Sequence, residues 1–261
     1  MIELYHNDMS VCAQKVRITL FEKELDWEGR LLNLRTGDQF DPDYLKLNSA
    51  AVVPTLVHDG NVVTESNRII EYLNEQFPSP PLAPMGGENS KKMHHWFDAL
   101  DARIHPVTGV LSIGVAFRHE YLAEGQEAIE RVVSSSPDEV KREGKRALIE
   151  QGIDAPFFKS AVAVVDAFLG DMDRGLSETG WLAGPDYSLA DIALMPYLAR
   201  FHFLGLDAFW ADRPHLGDWM ARVKSRPCFQ KVLIDDVAPT RMSNLIAHGK
   251  ENAASLAAMR P

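Results

Sequence analysis

The chain mixes two hydrophobic periods over its first 78 residues and keeps one of them afterwards. "IELYH" (2–6) is a short apolar run that predicts a strand. "VCAQKVRITLFEKE" (11–24) spaces Val11, Val16, Ile18 and Leu20 among Lys and Glu, which predicts a helix. "WEGRLLNL" (27–34) predicts a second strand and "PDYLKLN" (42–48) a short helix. "PTLVHDGNVVTE" (54–65) sets two β-rich runs around Asp59-Gly60-Asn61, the pattern of a hairpin. "SNRIIEYLNEQF" (66–77) puts Ile69, Ile70 and Leu73 on one helical face. The order β-α-β-α-β-β-α predicts a small α/β unit with one parallel crossover and one hairpin.

"PSPPLAPMGGENS" (78–90) cannot continue a helix, because its prolines lack the donor and clash with the preceding turn. It reads as a linker over 79–90 between a domain at 1–78 and a second at 91–261. The second part carries helical patterns only. "KKMHHWFDALDARIHPVTGVLSIGVAF" (91–117) starts a long helix interrupted or bent near Pro106 and Gly109. Residues 123–155 are charged and Ser-rich, an exposed helical excursion in which "SSSPDE" (134–139) starts a helix. "FFKSAVAVVDAFLGDMDRGL" (157–176) and "SLADIALMPYLARFHFLG" (188–205) are strong apolar helices, and "PHLGDWMARVKSRPCFQKVL" (214–233) holds one or two short ones. The last 25 residues, polar and Ala-rich, read as a peripheral tail. The fold class is thus α/β followed by all-α.

Composition removes several functions. A hydrophobic fraction of 46% supports a sizeable core. The net charge of −10 disfavours nucleic acid and anionic membrane surfaces as partners. No apolar run reaches the ~20 residues that span a bilayer. "MIELYHNDMS" lacks the features of a secretion signal. Two cysteines, Cys12 and Cys228, with no CxxC pattern suit a reducing cytoplasm. The scattered His and Cys give no metal-site spacing, and there is no Gly-rich phosphate loop.

Three short stretches carry candidate chemistry. In "MSVCAQKVR" (9–17), Ser10 stands just before the first helix and Cys12 two residues on. Exposed N–H groups and partial positive charge at a helix start, together with a hydroxyl donor, lower a thiol pKa from about 8.5 toward about 6–7. The same Ser10 also reads as a plain N-cap, and Cys12 as a small buried residue. In "VVPTL" (52–56), Val53 is extended because it precedes Pro54. A cis bond there would turn the Val53 backbone outward for an extended peptide to pair with; a trans proline at a strand start is the alternative. In "TESNRII" (64–70), Glu65 suits an amine, while Ser66 and the helix start suit a carboxylate. A capping pair without a ligand is the plainer reading.

The order of these elements, a serine at the first helix, Val-Pro before the hairpin, Glu-Ser after it, a Pro-rich linker and an all-helical remainder, resembles the glutathione transferase superfamily over residues 2–235. "GWLAGPDYSLAD" (180–191) strengthens the resemblance: Ser188-x-x-Asp191 is a capping box that in this superfamily fixes an interior helix. The resemblance implies a thioredoxin-like first domain and a helical substrate-binding second domain. It implies glutathione as co-substrate and a homodimer. Ser10 would hydrogen-bond the glutathione sulfur. Val53, with Pro54, would pair with the cysteinyl backbone, Glu65 and Ser66 would hold the γ-glutamyl end, and Gln39 would reach the glycyl end. Ala51 and Val52 stand where serine-type members often carry Lys or Gln. Asp101 would reach a partner subunit's glutathione.

Two aromatic chemistries fit. "VVTESNRIIEYLNEQFP" (62–78) and "LSIGVAF" (111–117) resemble bacterial transferases that cleave β-aryl ethers of lignin fragments, the first reading. "MSVC" with "AVVPTLV" resembles reductive dehalogenases of chlorinated hydroquinones, in which Cys12 would attack the aryl-glutathione conjugate. A non-catalytic glutathione-binding stress protein and a zeta-like isomerase are further alternatives. A small aromatic substrate would lie between the first helix and the long helices, with Met9, His105, Ile113, Phe117, Tyr121 and Phe201 as walls. Each of these six also reads as ordinary helical packing.

Overall fold

A computed structural model describes residues 1–136 and 138–261. In chain order the elements are β1 (Ile2–His6), α1 (Val11–Glu22), β2 (Glu28–Leu31), α2 (Pro42–Leu47), β3 (Thr55–His58), β4 (Asn61–Val63), α3 (Ser66–Gln76) and α4 (Gly87–Ala99). Then follow α5 (His105–Ser112), α6 (Arg118–Glu124), α7 (Gln126–Ser134), α8 (Glu139–Gln151), α9 (Phe158–Thr179), α10 (Leu189–Phe203), α11 (Pro214–Lys224), α12 (Pro227–Gln230) and α13 (Pro239–Met259). One compact unit comprises Met1–Phe97, Thr179–Pro196 and Trp219–Ala238; the other comprises Asp98–Glu178, Tyr197–Asp218 and Pro239–Pro261.

In the first unit the strands run in the order β2-β1-β3-β4. β1 and β2 are parallel, joined through α1, and β3 is antiparallel to both β1 and β4. This is the βαβαββα arrangement read from the hydrophobic pattern, with its turn at Asp59 and Gly60. Leu4, Val16, Ile18, Leu20, Leu56, Ile69, Ile70 and Leu73 have no exposed surface and form the core of this unit. Burying a side chain of this kind contributes about 2 kcal/mol.

α1 buries polar as well as apolar side chains. Gln14, Lys15, Arg17 and Thr19 are buried along with the apolar residues. The reason lies in their partners: Gln14 donates to the Asp8 carbonyl at 2.8 Å, Arg17 pairs with Asp236 at 2.7 Å, and Lys15 reaches α3. Polar groups enter an interior when such bonds offset desolvation.

Asp191, in the first turn of α10, shows the same logic. It has no exposed surface. It accepts from Trp219 Nε1 at 2.8 Å, Leu182 N at 3.1 Å and Ser188 N at 3.0 Å, and bonds the Ser188 hydroxyl at 3.2 Å. Ser188 and Asp191 thus organise the loop into α10, the folding role read from their spacing.

In the second unit the helix entering at residue 98 turns π-helical at Leu100–Ile104, just before Pro106, and again at Ile113–Phe117. Pro106 follows the π-helical turn 100–104 at the start of α5, so the irregularity expected near it takes the form of a π-helical segment. Gly109 lies inside α5 without a break. The charged excursion becomes α7 and α8. Asp138 caps α8 by accepting from Lys141 N at 2.7 Å; Pro137, part of the expected helix start at 134–139, lies outside the described residues. Ile129, Val133 and Ile149 form a small core against Ile113, Tyr121 and Val132.

Two expectations are corrected. α4 begins at Gly87, inside the stretch read as linker. The carboxy-terminal 25 residues are not a peripheral tail: α13 is 21 residues long and buries Met242, Leu245, Gly249 and Leu256. Its buried positions are few and widely spaced, so hydrophobic periodicity left the helix hidden; alanine propensity and close glycine packing hold it.

Candidate functional site

The register of the sheet gathers the sequence candidates at one end. Tyr5, near the end of β1, pairs with Thr55 at the start of β3, and Leu56 pairs with Val63 at the end of β4. The β1–α1 turn, the Val53–Pro54 pair and the entry to α3 therefore leave the same end of the sheet. β2 runs parallel to β1, so its exit toward Gln39 lies there too.

Ser10 is the N-cap of α1, and its Oγ accepts from Ala13 N at 3.2 Å. That bond uses an oxygen lone pair and leaves the hydroxyl proton to donate, so capping and thiolate binding are compatible. The turn leading to Ser10 is fixed by Asn7, whose side chain donates to Leu32 O at 2.9 Å and accepts from Met9 N at 3.0 Å. Met9 is buried. Cys12 lies in the first turn of α1, half-buried and outside any disulfide. Cys228 contrasts with it: burial and the nearby Glu22 carboxylate push its thiol up to about 12, which makes it inert.

The Val53–Pro54 bond is cis. Val53 is buried. The loop before it is held by three polar side chains. Tyr44 Oη and Asn48 Nδ2 both donate to the Val52 carbonyl, and both bond Thr55 Oγ1, at 2.9 and 3.0 Å. Ala51 has φ +54 and the Val52 side chain is exposed.

Glu65 precedes α3 with φ +67, a conformation that non-glycine residues rarely adopt. Its carboxylate makes no capping bond and is exposed, so it does not act as half of a capping pair. Ser66 opens the helix, half-buried, and accepts from Lys15 Nζ at 3.1 Å. Gln39 sits in a 3-10 turn, where Nε2 donates to Leu34 O at 3.4 Å while Oε1 is buried without a partner. An unsatisfied buried acceptor of this kind suits a ligand donor.

The remaining candidates belong to the second unit. Asp101 is exposed on the π-helical turn 100–104. His105 is exposed at the start of α5, and its Nδ1 lies 3.0 Å from the hydroxyl of Tyr197. Ile113 and Tyr121 pack against the α7–α8 cluster. Phe117 is half-buried beneath the Arg200 guanidinium, 5.1 Å from its ring centre. Phe201 has no exposed surface and is packed as core.

Lys15, Asn7, Tyr44, Asn48 and Thr55 support the site without having been assigned to it. Lys15 and Asn7 flank Ser10 in sequence, but only burial reveals their roles. Tyr44, Asn48 and Thr55 carry no local signal, because their contacts close only in three dimensions.

The glutathione S-transferase N-terminal domain model matches residues 9–76, and the C-terminal domain model matches residues 126–222. The tetrachloro-p-hydroquinone reductive dehalogenase of Sphingobium chlorophenolicum is 29% identical over 88% of this chain and 94% of its own. The glutathione S-transferase GstB of Escherichia coli K12 is 26% identical over 91% of this chain and 100% of its own. A glutathione S-transferase structure from Rhodospirillum rubrum superposes with a TM-score of 0.68 at 26% identity, covering 94% of this chain and 99% of that one. The β-etherase LigF of Sphingobium sp. strain SYK-6 shares the fold, with a TM-score of 0.75 at 24% identity over 88% of this chain and 98% of its own. With both domain models matched in order on the expected architecture, the chain belongs to the glutathione S-transferase family.

Proposed function

We propose that the protein uses the thiolate of glutathione to attack an activated aromatic electrophile. The observation that carries this reading is the placement of Ser10 at the amino terminus of α1, its hydroxyl proton available beside the Cys12 turn. Bound at the shared end of the sheet, glutathione would pair its cysteinyl backbone with Val53 and meet Glu65 and Ser66 with its γ-glutamyl end. Gln39 would take its glycyl end. The sulfur would then lie at the start of α1, where unpaired N–H groups and the Ser10 hydroxyl stabilise the anion. A two-unit fall in thiol pKa is worth about 2.7 kcal/mol. The remainder of the rate would come from positioning.

Two substrate chemistries share that first step. In β-aryl ether cleavage the thiolate displaces a phenoxide from the carbon next to a ketone, and no protein thiol takes part. In reductive dehalogenation the thiolate displaces halide from the ring. A second thiolate, that of Cys12, then attacks the sulfur of the aryl conjugate; the ring carbon takes up a proton and Cys12 is left in a mixed disulfide with glutathione. The half-buried position of Cys12 in the first turn of α1 favours this second chemistry, as does the dehalogenase relative. Met9, His105, Ile113, Phe117 and Tyr121 are the residues this reading assigns to the aromatic substrate. Asp101 is assigned to the glutathione of the partner subunit in a cytoplasmic homodimer.

The test is a pair of assays, one with a β-aryl ether ketone and one with a chlorinated hydroquinone, on the natural protein and on Cys12→Ser. Dehalogenation that disappears in the variant, with a covalent glutathione adduct seen on Cys12 by mass spectrometry, supports the second chemistry. Ether cleavage unchanged in Cys12→Ser supports the first. No glutathione consumption with either compound, or with a panel of aromatic electrophiles, overturns the enzyme reading.

A further inference from the structure

Lys15 is an unusual guest in α1. It has no exposed surface, although an ammonium taken from water costs several kcal/mol unless its donors are used. Its Nζ donates to Ser66 Oγ at 3.1 Å and to Asn67 Oδ1 at 2.6 Å. These two residues form the first turn of α3. A cation carried by α1 is thus seated against the first turn of α3, to which the reading above assigns the γ-glutamyl end of glutathione.

We propose that Lys15 is a positioning residue for the γ-glutamyl carboxylate of glutathione, acting through Ser66 and Asn67 and not by contact. The proposal rests on the reading above that the start of α3 binds that end of the tripeptide. Two physical effects carry it. First, the ammonium occupies a lone pair of Ser66 Oγ, so the hydroxyl proton is turned away from Lys15 and toward a carboxylate acceptor. A donor fixed in advance loses less entropy when the ligand arrives. Second, a full positive charge behind the first turn adds to the partial charge of the helix terminus. Because Lys15 is out of water, that field is weakly screened. Asn67 Oδ1 is held by the same ammonium, which fixes the amide's orientation at the helix start.

A purely structural role, tethering α1 to α3, would weaken every ligand of the site alike. The experiment separates the two. Affinity is measured by calorimetry for glutathione and for the analogue whose γ-glutamyl α-carboxylate is a neutral amide, on the natural protein, Lys15→Met and Lys15→Arg. The natural protein should prefer glutathione by about tenfold or more, the scale of one charge-assisted hydrogen bond. Lys15→Met should bring the preference to within about twofold to threefold while binding the amide as the natural protein does, and Lys15→Arg should keep most of it. Steady-state kinetics should show the loss in KM for glutathione and not in kcat. Thermal unfolding checks that the variants are folded; if Lys15→Met aggregates, Lys15→Gln serves as the neutral variant. A neutral variant that weakens both ligands equally, or that keeps the full preference, overturns the proposal. A natural protein that binds neither ligand overturns the glutathione reading itself, a result visible before any variant is made.

Discussion

Gly205 and Gly249 meet backbone to backbone. A Cβ on Gly249 would stand 2.1 Å from the Phe203 carbonyl oxygen, and one on Gly205 would stand 2.3 Å from the Gly249 carbonyl oxygen. No side chain can give way there, because the obstacles are main-chain atoms. Gly249→Ala should therefore push α13 off the end of α10 and lower stability by about 2–4 kcal/mol, in the range of severe core overpacking. Urea unfolding checks it. A loss under about 0.5 kcal/mol, the level of an ordinary surface change, would mean that the two segments separate without cost.

Ser10 caps α1 and, in the proposed function, also binds the glutathione thiolate; substitutions can pull these roles apart. Ser10→Ala removes the acceptor for Ala13 N and should cost about 1 kcal/mol of stability. On the proposed function the same change removes the thiolate donor and should lower kcat/KM by about a hundredfold, the effect of losing one donor to an oxyanion. The pH at which bound glutathione shows thiolate absorbance should rise in parallel. Ser10→Asp keeps a good cap but places a carboxylate beside the sulfur. It should retain stability and lose activity. Activity surviving in Ser10→Asp would move the sulfur away from this helix.

These predictions mark where sequence and structure part. The first seven elements are legible because apolar runs are marked off by turn residues and prolines, as at Asp59-Gly60 and Pro54. Ser10, Val53, Glu65 and Ser66 point to the family only as a set, since each pattern alone describes an ordinary cap or strand start. α13 was hidden: a helix held by Gly249 against Gly205 buries backbone, which no hydrophobic pattern records. The burial of Lys15 and Arg17 is hidden for a related reason. Their partners Ser66 and Asp236 lie 51 and 219 residues away, and only folding joins them.

His6 and Asp191 set opposing pH dependences within one unit. Burial, then the Arg17 charge, lowers the His6 pKa to about 4 from 6.5. The folded state then binds fewer protons than the unfolded chain between those values, so stability is full above about pH 6.5 and falls as pH drops toward 4. At pH 4.5 the loss from His6 comes to about 2–3 kcal/mol. Asp191 works the other way. Burial raises its pKa to about 6 from 3.8, against the pull of the Trp219 bond and its other donors. The folded state here binds more protons, so stability is greatest below about pH 3.8 and falls as pH rises through 6. Going from pH 7 to 4.5 therefore returns about 2 kcal/mol from Asp191. The two contributions oppose each other in the natural protein. His6→Leu removes one of them, so its stability relative to the natural protein should improve by about 2–3 kcal/mol between pH 7 and pH 4.5. Urea unfolding at the two pH values measures that difference. A variant whose offset from the natural protein is the same at both would show that His6 is not held neutral by its burial.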